Sequence, residues 1–101
     1  MIQISDKEME IIMNIIKKYA GDCEVLIFGS KLKGTRKKFA DLDLAFKCEG
    51  GLGLKKSGIL EDEFDESDLP YRVDIVDYNK TSKEFQKIVD RNNQKIWLKA
   101  H

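Results

Sequence analysis

The sequence predicts an α/β (α+β) protein: a small mixed sheet with helices packed mainly on one face. Three observations predict it. A stretch with helical spacing opens the chain, a continuous apolar run "CEVLIF" (23–28) follows, and two later stretches, "LDLAF" (42–46) and "YRVDIVDY" (71–78), alternate apolar with polar residues. A continuous apolar run suits a strand covered on both faces, and alternation suits a strand with one wet face, so helices and strands interleave around a single core.

In chain order, "SDKE" (5–8) matches a capping box, with Ser5 as N-cap and Glu8 three residues on. Met9, Ile12, Met13 and Ile16 then repeat at helical spacing, so a helix is expected to about Ala20, where Gly21 and Asp22 break it. The apolar strand ends at Gly29-Ser30, with a further helix expected from Ser30. In "LDLAF", Leu42, Leu44 and Phe46 share one face while Asp41, Asp43 and Ala45 share the other. A glycine-punctuated loop leads to a short helix expected near 57–67 and stopped by Pro70. "YRVDIVDY" puts Val73 and Ile75 on one face and Arg72, Asp74 and Val76 on the other, and is expected beside the second strand. Thr81 or Ser82 caps a last helix with Phe85, Ile88 and Val89 as its buried stripe, and "QKIWLKAH" either extends it or forms a short last strand.

Composition excludes several classes. A chain of 101 residues suits one domain over 1–101. With 18 basic and 18 acidic residues the net charge is zero, so no global field draws the chain to nucleic acid or to an anionic membrane. There is no leader-like amino terminus and no long apolar span, which points to a cytoplasmic protein. Cys23 and Cys48 lack metal-like spacing, and reduced thiols are expected rather than a disulfide.

The chemistry lies in the acids. Asp41 and Asp43 project from one strand face about 7 Å apart, and Asp74 joins them if its strand is the neighbour. Two carboxylates at ~4 Å repel by about 4 kcal/mol at an effective dielectric of 20, a cost that divalent cations offset. Magnesium takes one or two carboxylates together with substrate phosphates, and a pair of such ions activates an attacking hydroxyl while holding a leaving pyrophosphate. Gly29 allows close backbone approach, Ser30 offers a hydroxyl and N–H groups to phosphate, and "KLKGTRKK" (31–38) puts five cations in eight residues beside them.

"GSKLKG", the ten residues leading to "DLD", and "RVDIV" together resemble the minimal nucleotidyltransferases (MNT) of the DNA polymerase beta superfamily, over nearly the whole chain. The resemblance implies that superfamily's palm-like fold, with catalytic and metal-binding roles for Asp41, Asp43 and Asp74. Gly29, Ser30, Lys31 and Lys33 would bind the nucleotide. It implies two Mg2+ ions, or Mn2+, and ATP as substrate. It also implies a helical HEPN-type protein partner, the pair forming a toxin-antitoxin module in which the transferase, as antitoxin, moves AMP to a tyrosine of the toxin. Lysines at 31 and 33 and Ala40 depart from the arginines and serine frequent in the family, and lysine lacks arginine's bidentate fork. The rival reading is a non-catalytic antitoxin that silences its partner by binding alone. The sequence leaves homo- and hetero-oligomers open.

Other features read more plainly. Asp77, at a strand end, suits a turn rather than a ligand role. "EDEFDESD" (61–68), with six acids in eight residues, suits a solvated face, Trp97 suits core or interface, and the terminal His101 is given no role.

Overall fold

The computed structural model describes residues 4–29 and 41–98. Helix α1 (Asp6–Ala20) is followed by β1 (Glu24–Phe28), β2 (Leu42–Lys47), α2 (Leu54–Asp65), β3 (Val73–Asp77), a 3-10 turn (Tyr78–Lys80), α3 (Lys83–Arg91) and β4 (Gln94–Trp97). The strands form one sheet in the order β3-β2-β1-β4. β1 runs antiparallel to β2 and β4, and β2 runs parallel to β3. The sheet is therefore mixed, as expected.

The capping box forms as the sequence implies. Ser5 accepts from the Glu8 amide, and Glu8 reaches back to the Ser5 amide at 3.2 Å, satisfying two otherwise orphaned donors at the start of α1. Ile12, Ile16 and Ala20 bury the helix on one face of the sheet, against Val25, Ile27, Leu42, Leu44 and Phe46. α2 adds Leu60 and Phe64 to the same cluster. The opposite face carries a smaller cluster, where Val89 and Phe85 of α3 cover Leu26, Phe28 and Ala45. Among the described residues, two helices on one face and one on the other match the expected one-sided weighting.

α2 starts and ends earlier than the 57–67 expected from sequence. Its N-cap is Gly53 at φ +86°, which supplies no side chain, and the cap comes instead from β3: Asp77 accepts from the Leu52 and Gly53 amides at 3.1 Å each. Asp77 is thus a loop anchor, consistent with a structural rather than a ligand role. The tail "QKIW" forms strand β4, pinned by a 2.8 Å ion pair from Lys95 to Glu24 and by Trp97, whose indole N–H donates to the Gly21 carbonyl.

The cysteines overturn the expectation of free thiols, because Cys23 and Cys48 form a disulfide. Antiparallel pairing of Glu24 with Lys47 places the next pair outward directly opposite, with Cα atoms 4.4 Å apart. Sequence spacing alone carries no information about that register. Among the described residues, no helix is long and apolar enough to cross a membrane.

Candidate active site

Alternation along β2 turns Leu42, Leu44 and Phe46 into the main core and leaves Asp41, Asp43 and Ala45 on the face partly covered by α3. On β3 the same rule buries Val73 and Ile75 against the main core and sends Asp74 and Val76 to the α3 face. Parallel pairing then sets Asp43 directly beside Asp74. On its other side Asp43 pairs with Phe28, the last residue of β1, and the chain turns at Gly29 with φ +80°. A Cβ at position 29 would overlap the Asp43 carboxylate, so glycine is needed both for the backbone conformation and for the close approach.

The electrostatics follow from this packing. Asp43 is half-buried, and burial, the neighbouring charges of Asp74 and Asp41, and a hydrogen bond with Asp74 together push its pKa up to about 6 from an ordinary 3.8. Asp74, also half-buried, pairs with Arg72, whose Nε lies 3.2 Å from Oδ1. Asp43 therefore sits in an environment that resists its ionised form unless positive charge is brought in.

Of the site residues expected from sequence, Asp43, Asp74 and Gly29 come together, and Asp41 lies beside them, exposed, at the start of β2. Among the described residues, no three acidic, histidine or cysteine side chains are gathered closely enough to hold a metal ion. The pair Asp43 and Asp74 offers hard oxygen donors of the kind magnesium takes, and its mutual repulsion suits a cation shared with substrate phosphates. Ser30, Lys31, Lys33, the rest of the basic run and Ala40 lie outside the described residues. The sequence reading missed the approach of α3 to this site. The C-terminal end of α3 reaches the turn after β1, where Ile88, Arg91 and Asn92 line a pocket with Phe28 and Gly29. Ile88, expected in the buried stripe of this helix, is instead 55% exposed, because Val89 and Phe85 take the face that packs on the sheet.

Comparison with known proteins gives a consistent picture. The family model described as polymerase beta, nucleotidyltransferase matches residues 10–101. A probable protein adenylyltransferase MntA of Haemophilus influenzae is 40% identical over 88 residues, which span 87% of this chain and 77% of that protein. Among solved structures, a toxin-antitoxin with AMP-PNP superposes with a TM-score of 0.76 at 22% identity, covering 88% of this chain and 72% of the other. The complex of a tri-AMPylated Shewanella oneidensis HEPN toxin with its MNT antitoxin gives a TM-score of 0.69 at 20% identity, over 88% and 68% of the two chains. At these identities the structural likeness speaks for the fold.

Proposed function

The chain belongs to the polymerase beta nucleotidyltransferase family, and on that premise we propose that it is a protein adenylyltransferase. It moves AMP from ATP to a hydroxyl of a HEPN-type partner and serves as the antitoxin of that pair, acting as one minimal domain. The observation that carries the reading is the register of β2 and β3, which sets Asp43 beside Asp74, with Gly29 packed against Asp43. In the reaction the acceptor oxygen bonds to the α-phosphorus and gives up its proton to solvent, the bond from that phosphorus to the bridging oxygen breaks, and pyrophosphate leaves with the electron pair.

Each residue has a part in that step. Asp41 and Asp43 hold the nucleotide end of the site, while Asp74, on the open side, orients the acceptor hydroxyl. Gly29, Ser30, Lys31 and Lys33 are assigned to the nucleotide phosphates, the two lysines balancing their charge. Divalent cations, Mg2+ or Mn2+, would be held by Asp43 and Asp74 together with the substrate phosphates, with Asp41 beside them, and would neutralise the charge developing on the phosphates and lower the pKa of the acceptor hydroxyl. The raised pKa of Asp43 supports this assignment, since a carboxylate that is costly to ionise alone becomes a good ligand once a cation arrives. The need for ATP puts the reaction in the cytoplasm.

Mixing the protein with its HEPN partner, ATP and magnesium tests the reading by mass spectrometry. Each AMP adds about 329 Da to the partner, and Asp43→Asn removes the adduct while the two proteins still associate. If both forms neutralise the partner equally and no mass is gained, the module works by binding alone and the carboxylates are not catalytic.

A further inference from the structure

The disulfide between Cys23 and Cys48 ties the two central strands at the end away from the carboxylates, and the transfer chemistry does not use it. We propose that this pair is a reversible thiol–disulfide switch, which braces the chain when a low-molecular-weight disulfide oxidises it and loosens it when thiols reduce it. Its compartment comes from the adenylyltransferase reading, on which the proposal rests. A protein that consumes ATP works among thiols that keep most cysteines reduced, and a disulfide formed there belongs with transient, redox-sensing bonds rather than with permanent staples.

The strands do not need the bond to find their register. β1 and β2 pair without a break from Glu24 with Lys47 to Phe28 with Asp43, and the cysteines are the next pair outward. Each is held by a hydrogen bond that leaves its sulfur out: the Cys23 amide donates to the Ala20 carbonyl at 3.0 Å, and the Cys48 amide donates to Asn79 Oδ1 at 3.1 Å. The Cα atoms are 4.4 Å apart, within the span of a disulfide, so the thiols of the reduced chain stay opposite each other and the bond closes without a search. Both side chains are buried, a setting that suits a free cysteine, which packs as a small apolar group. Both redox states are therefore compatible with the same fold.

Burial closes the sulfurs to an exchanging thiol, and the loop after Cys48 provides the way in. It runs through Gly50 and Gly51 to Gly53 and hangs from the end of β3 and the turn beyond by three hydrogen bonds: Asn79 accepts from Cys48, and Asp77 accepts from Leu52 and Gly53. Losing these bonds is a local opening rather than an unfolding. Through it, an attacking thiolate forms a mixed disulfide with one cysteine and frees the other, and a second thiolate completes the reduction. In the other direction the two cysteines give up two electrons and two protons to the small disulfide, which leaves as two thiols.

The bond acts on the site through the strands it ties. Cys23 opens the stretch that ends at Gly29, and Cys48 closes the stretch that begins with Asp41 and Asp43. Joining the far ends restricts the unfolded chain, so the oxidised form keeps Gly29 against Asp43 at temperatures where the reduced form has melted.

A redox titration of the full chain tests the proposal. The protein is equilibrated over a range of reduced-to-oxidised glutathione ratios, free thiols are alkylated, and the bonded fraction is read by mass spectrometry. Half-oxidation should fall among the ratios that a cytosolic pool spans and should be the same from either direction. From oxidised to reduced chain the melting temperature should drop by roughly 10–20 °C, and the Cys23→Ala, Cys48→Ala double variant should ignore the ratio. Assayed between the two melting temperatures, only the oxidised chain should move AMP to the partner. A bond that survives the most reducing ratio is a permanent staple, and one that never forms at the most oxidising ratio is no switch. Either result overturns the proposal, and AMP transfer in the same samples would leave the adenylyltransferase reading standing. Equal melting of the two states, or equal transfer at the intermediate temperature, would overturn it as well. A chain that titrates and melts as described, yet moves no AMP in either state well below both melting temperatures, keeps the switch and sinks the parent reading.

Discussion

The two faces of the sheet are built for different ends. One is sealed: α1 and α2 press Ile12, Ile16, Leu60 and Phe64 onto Leu42, Leu44 and Phe46. The other is half covered: α3 shields Leu26, Phe28 and Ala45 with Val89, and beyond that patch Asp43 and Asp74 share the strand ends. The same two strands serve both faces, since alternation sends every second side chain the other way. The sealed face supplies the stability that lets the open face hold two repelling carboxylates side by side. If so, substitutions on the sealed face should act on folding, and those on the open face should act on chemistry while leaving the fold intact or firmer.

The largest effect should come from emptying the sealed face. Phe46 is fully buried at the centre of the main cluster, and Phe46→Ala should cost about 3–5 kcal/mol in urea unfolding, a large share of what a domain of this size has. A loss under about 1 kcal/mol would mean that this face is not the one carrying the fold. Next comes the staple at its margin. The disulfide joins residues 25 apart in sequence, and opening a loop of that length should cost about 3 kcal/mol through the entropy regained by the unfolded chain. Thermal melts with and without reductant should differ in the wild type and coincide in the Cys23→Ala, Cys48→Ala double variant. A wild-type melt indifferent to reductant would show that the strand pairing holds this margin without the bond.

Much of this contrast was legible in the sequence, because both faces are written in local patterns. The capping box at Ser5 and Glu8, the run "CEVLIF" and the alternation in "LDLAF" each depend on neighbours in the chain, and each became the element it implied. What escaped depends on partners far away. The start of α2 is set by Asp77, more than twenty residues downstream, so Gly53 gave no local cap signal. The disulfide depends on cross-strand register, and the strand fate of "QKIW" depends on Glu24 and Gly21 at the other end of the chain. At the site, the spacing of Asp41, Asp43 and Asp74 was legible. The wall contributed by Ile88, Arg91 and Asn92 was not, because only the packing of α3 against β1 brings it there.

The smallest effect should have the opposite sign and belongs to the open face. Asp43 titrates near 6 in the folded chain and near 3.8 as an ordinary aspartate, so the folded state binds its proton more tightly than the unfolded state does. Stability from this group is therefore fully present below about pH 4 and is lost as pH rises through 6, where the ionised carboxylate meets the charges of Asp74 and Asp41. Asn cannot ionise, so Asp43→Asn should match the wild type at pH 4 and exceed it at pH 7.5 when divalent cations are absent. Because the site is only half-buried, the gain is of order 1 kcal/mol after solvent screening, or about 5 °C in Tm. Millimolar magnesium with an ATP analogue should then close the gap by stabilising the wild type more than the variant, which lacks the Asp43 carboxylate that the ion shares with Asp74. A variant equally more stable at both pH values would trace the gain to packing rather than charge, and the open face would lose its claim to hold stored repulsion for a cation to relieve.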